Sequence, residues 1–208
     1  MVEVLKEKKL SRSEQKRQQI FDAAVVEFME NGFKAASMDA ISARANVSKR
    51  TVYNHFPSKE ILFDAIIERT LSEDSTFAIR FDATKDLRKQ LKELSLAYLA
   101  AITNDDYIKL SRVVVSEFVR DHDAARKAFA QFNLHDQAVI DFIAEAMEAE
   151  QLRKADPSHA SNQLLSLIKA FSYTPALFAG VKVPSKKRLT ELVDDSIKMF
   201  LAHYGLRS

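Results

Sequence analysis

Residues 37–59 read SMDAISARANVSKRTVYNHFPSK, and their spacing predicts two short helices joined by a tight turn. Ser37 is an N-cap residue, and Met38, Ile41 and Ala45 recur at helical spacing, with small Ala40 and Ala43 allowing close approach of a neighbour. Asn46 tolerates the left-handed conformation that a tight helix exit needs, and Val47 is the apolar residue a two-helix turn tucks inward. Ser48 caps a second helix, Lys49 to His55, which buries Val52 and Phe56 and leaves Lys49, Arg50, Thr51, Tyr53, Asn54 and His55 outside. Pro57 stops that helix, and Ser58 opens another at Lys59.

Two short helices, a turn of a few residues and donors on the second helix are the parts of a helix-turn-helix, whose second helix enters the DNA major groove. Lys49 and Arg50 reach guanine edges or phosphates, Thr51 a thymine methyl or a phosphate, and Tyr53, Asn54 and His55 supply further polar contacts. Lys59 lies at a helix start, where its charge and free N–H groups would add to a phosphate site. The competing reading is a solvated basic face on an ordinary helical hairpin.

Working outward, the periodicity of Ile20, Ala23, Ala24 and Phe28 predicts a helix from Ser13 to Asn31, ended by Asn31-Gly32, with Glu27 as a charged exception on its apolar face. Lys16 and Arg17 in its first turn oppose the helix dipole and would welcome an external anion such as phosphate. Residues 1–12 read as a flexible basic arm, 13–57 as the helix-turn-helix domain, 58–83 as a connecting helix and linker, and 84–208 as a helical body. The connecting helix is expected to bury Ile61, Leu62, Ala65, Ile66 and Thr70. In the body, helical stretches are expected over 84–104, 106–120, 123–151 with a break near Asn133, 158–180 kinked or broken at Pro175, and 185–204.

The chain has 208 residues, 47% of them hydrophobic, with three glycines, four prolines and no cysteine. That composition fits an all-α protein and excludes a disulfide framework or a thiolate metal site. No apolar run approaches the length of a membrane span, and the charged N-terminus is unlike a signal peptide, so a cytoplasmic location is expected. The net charge is only +2, but residues 1–60 carry 11 basic against 8 acidic side chains and the remainder 20 against 21. The modest surplus therefore lies with the helix-turn-helix.

The two last stretches are apolar over more than one face. Leu164, Ile168 and Phe171 in one, with Leu189, Val193, Ile197 and Phe200 in the other, are candidates for a face that pairs with a second copy in a four-helix bundle; packing inside one subunit is the alternative. A homodimer would place two heads on a pseudo-palindrome.

An enzyme is the rival class. The chain has no glycine-rich phosphate loop, no His-Glu-x-x-His pair and no cysteine nucleophile. Asp121-His122-Asp123 reads as a loop or cap more readily than as a metal or acid–base site, and no metal or cofactor is expected. A helical interaction module without DNA is the third reading.

The run from Arg17 to Leu71 resembles the DNA-binding domain of TetR-family transcriptional regulators through Ile20, Ala23, Ala24, Phe28, Gly32, Phe33, Ser37, Met38, Ile41, Ala45, Val47, Ser48, Thr51, Val52, Tyr53, His55, Phe56, Lys59 and Leu62. Asn46 stands where that family mostly has glycine, and Arg50 where a small residue is common. Leu110 to Gly180 more loosely resembles the AefR-like branch of its ligand-sensing domains. The resemblance implies an N-terminal three-helix head joined to a C-terminal ligand-binding and dimerisation bundle, with a double-stranded operator and a small-molecule effector as partners. It also implies a repressor released when the effector binds among the body helices. Tyr98, Phe118, Phe129, Phe132 and Tyr173 are the candidate walls of that site, and Met38 and Ser37 join the DNA-facing set.

Overall fold

The computed structural model describes residues 11–72, 79–123, 125 and 136–206, and the side chains of 70–72 lie outside that set. The arm's residues 1–10, the expected break near Asn133, and Phe129 and Phe132 therefore fall outside the described residues. The chain divides into two compact units after Glu68.

The first unit is built from α1 (Arg12–Ala35), α2 (Met38–Arg44), α3 (Lys49–His55) and the first part of α4 (Lys59–Ser72). α1 opens with a capping box: Glu14 N donates to Ser11 Oγ at 3.2 Å and Ser11 N to Glu14 Oε2 at 2.7 Å. Gly32, at φ 72°, ψ 163°, breaks the helical path where the sequence expects it, yet one further turn follows to Ala35. Ile20, Ala24, Phe28, Ile41, Val52, Phe56, Leu62 and Ile66 form the buried centre. Each of these except Ala24, whose lone methyl contributes less, adds about 1.5–3 kcal/mol by leaving water. The expected charged exception, Glu27, is buried with them; it accepts from Asn31 Nδ2 at 3.0 Å and faces Arg44 Nη2 at 3.4 Å.

On α4 the sequence misjudged one position. Ile61 is 47% exposed, and Phe63 is buried in its place, its ring 4.9 Å from Phe33 and 5.6 Å from Phe28. These aromatic contacts draw the first half of α4 into the head.

Asn46 adopts φ 52° as the turn requires. Its N–H reaches Ala43 O at 3.2 Å, and that of Val47 reaches Ser42 O at 3.1 Å. A β-branched side chain is poorly tolerated at positive φ. Asn46→Val is therefore expected to destabilise the head by about 1–2 kcal/mol, read as a lower urea midpoint; an unchanged midpoint would show that the turn has another way to close.

The second unit contains α5 (Leu87–Ile102), α6 (Asp105–Phe118), α7 (Gln137–Glu148), α8 (Pro157–Lys169), α9 (Tyr173–Ala179) and α10 (Lys186–Tyr204). α7 packs on α8, α10 on α5 and α8, and α9 on α6. Over residues 158–180 the helix is broken rather than kinked. The break falls at 170–172, and Pro175 sits in the first turn of α9, where its missing N–H is harmless. Proline's clash is with the carbonyl four residues earlier, which is why the break precedes it. Arg112 holds α9 to α6 through its Nε to Leu177 O at 3.1 Å and its Nη2 to Ala176 O at 2.7 Å. Arg153 fastens the α7–α8 connection to the end of α10, its N–H donating to Tyr204 O at 2.8 Å and its Nε to His203 O at 2.7 Å. Among the described residues the one extended pairing is the isolated bridge Leu152–Gly205.

Five of the seven expected dimer residues are core residues of the subunit. Leu164, Ile168, Val193, Ile197 and Phe200 are buried in the subunit's own core, and of these Phe200 also reaches the apolar groove beside Phe171 and Met199. Leu189 packs partly buried on the same core, and Phe171 alone is well exposed, at 64%.

Candidate nucleic-acid interface

α3 is seven residues long, and the diameter of a helix with its side chains, about 10–12 Å, suits a major groove about 12 Å wide. Val52 and Phe56, four apart, anchor one side in the head core, while Arg50, Tyr53 and Asn54 project from the opposite side and are exposed. Thr51 and His55 lie half-buried at the edges. Ser48 fixes the start of the helix by accepting from Thr51 N at 3.1 Å. Its hydroxyl also pairs with Thr51 Oγ1 at 2.8 Å, so Thr51 is partly engaged in the cap.

The basic residues divide by what they already touch. Lys49 Nζ lies 2.6 Å from Asp39 Oδ2, an exposed pair joining the starts of α2 and α3. Arg17 stacks its guanidinium 4.8 Å above the Phe56 ring, tying α1 to the end of α3. Lys16 is exposed on the first turns of α1. Arg50 is exposed with its guanidinium unengaged among the described residues, so it is the cation that α3 presents freely.

Three of the expected contacts are already engaged within the head. Met38 is buried and belongs to the core beneath α2. Ser37 uses its hydroxyl to cap α2, accepting from Ala40 N at 3.1 Å. Lys59 is half-buried, and its ammonium donates to the carbonyls of Phe33, Lys34 and Ala36 at 2.7, 3.2 and 3.0 Å. Asp39 was not legible as a site residue, because nothing in a lone aspartate points to a lysine ten positions on.

In the second unit, Tyr98 and Tyr173 come together around a residue the sequence reading passed over, Tyr107. The Tyr107 and Tyr173 rings are 5.9 Å apart, and Tyr98, buried on α5, donates from its hydroxyl to Asp136 Oδ1 at 3.1 Å. Burial, then the charge of Asp136, pushes the Tyr98 phenol well above its ordinary range. Burial also raises that of Tyr173, with the Ser111 hydroxyl pulling the other way. Tyr107 lies four residues before Ser111 on one face of α6, the spacing by which it was findable. Phe118 is half-buried at the end of α6. Asp121 accepts from Asp123 N at 3.0 Å, a local turn rather than part of a ligand cluster. Among the described residues no group of three or more acidic or histidine side chains could hold a metal ion.

A family model described as the AefR-like transcriptional repressor C-terminal domain matches residues 89–206, more than half of the chain. The chain belongs to the TetR family. A second model, the bacterial regulatory proteins of the tetR family, matches residues 20–66, the segment that carries α2, the turn and α3. A TetR-family transcriptional regulator from Pseudomonas syringae pv. tomato str. DC3000 has a similar solved structure, with a TM-score of 0.82 and 33% identity over 96% of this chain and 100% of that one. The transcriptional activator FasR of Mycolicibacterium smegmatis is 30% identical over 145 residues, 67% of this chain and 65% of FasR, so the match spans just under two thirds of that protein. The regulator BetI of Burkholderia ambifaria is 27% identical over 93% of this chain and 98% of its own length. As a TetR-family member the chain is a transcriptional regulator with a DNA-binding helix-turn-helix, not an enzyme. No helix among the described residues is long and apolar enough to cross a membrane.

Proposed function

We propose that this TetR-family regulator is a cytoplasmic homodimeric repressor that reads a pseudo-palindromic operator with α3 and leaves it when a small molecule binds the second unit. The observation that carries the reading is the outer face of α3, where Arg50, Tyr53 and Asn54 stand exposed opposite the buried Val52 and Phe56. Arg50 reads a base edge, and Lys16, Arg17, Tyr53 and His55 hold phosphates. Lys49 joins them once a phosphate displaces Asp39, an exchange that costs little because an exposed ion pair is worth at most about 1 kcal/mol.

Dimerisation is supported by an apolar groove of about 820 Å³ along the outer sides of α8 and α10. Leu167, Ala170, Phe171 and Met199 line it, with Asn162, Gln163 and Ser166 at its polar edge. A second copy's matching helices would fill such a groove and complete a four-helix bundle. The effector reading rests on the family and on the Tyr98–Tyr107–Tyr173 cluster. A ligand that binds the non-DNA-binding state with about 1.4 kcal/mol greater affinity shifts the balance tenfold.

The family model's description favours a repressor and FasR's name an activator. Selection of genomic fragments by the purified protein, followed by transcription from the enriched promoters with and without it, decides between the two. In the same assay Arg50→Ala is expected to weaken the selected operator by about 1–3 kcal/mol and to relax preference at one position of each half-site. Equal losses on every operator variant would remove Arg50 from base reading.

A further inference from the structure

Lysine is poorly placed in the first turn of a helix, because the N-terminal end of the dipole is positive. Lys59 opens α4 and escapes that repulsion by directing its ammonium to the far end of another helix. Gly32 interrupts α1, so the carbonyls beyond it lack ordinary helical partners. Phe33, Lys34 and Ala36 aim theirs at one point, and Lys59 Nζ occupies it at 2.7, 3.2 and 3.0 Å. The Phe33 ring closes the remaining side, its centroid 4.6 Å from the ammonium. An ammonium has three N–H donors and all three are satisfied here, so none remains for a phosphate oxygen.

The location gives the clamp its consequence. Only residues 56–58 separate the end of α3 from Lys59, and Phe56 is itself buried. Pinning Lys59 to the end of α1 therefore fixes where α3 leaves the head and how its outer face is aimed. We propose that Lys59 is a positioning residue for DNA recognition: held by three carbonyls at the end of α1, it sets the aim of α3 and takes no part in phosphate binding. This inference rests on the DNA-binding reading above.

Arginine separates the two roles. A guanidinium keeps the charge and binds phosphate at least as well, but its planar fork cannot direct three donors from one nitrogen into a converging cup. Full-length Lys59→Arg and Lys59→Met are measured by fluorescence anisotropy against the wild-type-selected operator and a scrambled duplex over a series of salt concentrations. Both are expected to bind the operator about tenfold more weakly, with affinity for the scrambled duplex and the salt slope as in wild type. The proposal is overturned if Lys59→Arg binds like wild type, or if Lys59→Met flattens the salt slope by about 0.9 per subunit, the signature of a lost phosphate contact.

Should the variants fold poorly, the ¹⁵N-ammonium resonance of Lys59 in the wild-type protein answers instead. It is expected to be visible in the free protein and unmoved by operator. A signal absent from the free protein, or shifted by DNA, overturns the clamp. If wild type enriches no duplex at all, the DNA-binding reading fails and takes this inference with it. If wild type binds and Lys59→Arg equals it, only the inference fails.

Discussion

A Phe171→Glu, Met199→Glu double variant is expected to sediment as a monomer and to bind the operator about 10²- to 10⁴-fold more weakly than the parent protein. The loss follows from linkage: once one head is bound, the second binds at the high effective concentration set by its tether, and a monomer forfeits that gain. Phe171 and Met199 are 64% and 60% exposed in the single chain, and both line the α8–α10 groove. Placed on a face that meets its own copy, the substitutions set four like charges in an apolar contact, where each faces a desolvation penalty. Neither side chain belongs to the subunit core, so helical content should be unchanged by circular dichroism. Sedimentation velocity reads the mass, and a dimer that survives both glutamates would move the contact to another face.

Phe56→Ala is expected to remove about 3–5 kcal/mol from the head and to abolish operator binding at 37 °C. Whole domains are stable by only about 5–15 kcal/mol, so a loss of this size leaves a large unfolded fraction in a unit this small. Phe56 is 1% exposed; its N–H closes α3 by donating to Val52 O at 2.8 Å, and its ring carries the Arg17 guanidinium. The substitution thus opens a cavity, frees Arg17 and loosens the end of the recognition helix together. Calorimetry should show a depressed head transition beside an unchanged one for the second unit. A head that melts as wild type would mean that the space closes by collapse and that Phe56 does not anchor α3.

The head was far more legible in the sequence than the body, for a local reason. Ser37, Ser48, Asn46 and Pro57 are caps, turn residues and stops whose effects act within four residues, so the limits of α2 and α3 follow from them almost to the residue. Apolar spacing then separated Val52 and Phe56 from Arg50, Tyr53 and Asn54. Distant partners left no such trace: Lys59 finds carbonyls 23 to 26 positions earlier, and Lys49 finds Asp39 across the turn. On α8 and α10 the periodicity shows which positions are apolar but not what they face. Leu164 and Val193, inside the subunit, and Phe171 and Met199, outside it, therefore read alike. Tyr107 escaped notice because it follows Asp105 and Asp106, which mark a surface helix start.

The two left-handed exits of the head differ in their tolerance of change. Asn46 at φ 52° lies in the region that asparagine, aspartate and glycine can share, so a lineage can pass through several residues there. Gly32, buried at φ 72° and ψ 163°, lies in a region essentially closed to every residue with a β-carbon. Any one-base change that alters a glycine codon either adds a side chain or ends translation. The codon for Gly32 therefore has no neutral neighbour in mutational space except its synonyms, and the end of α1, with the carbonyl cup built on it, is shielded from gradual drift.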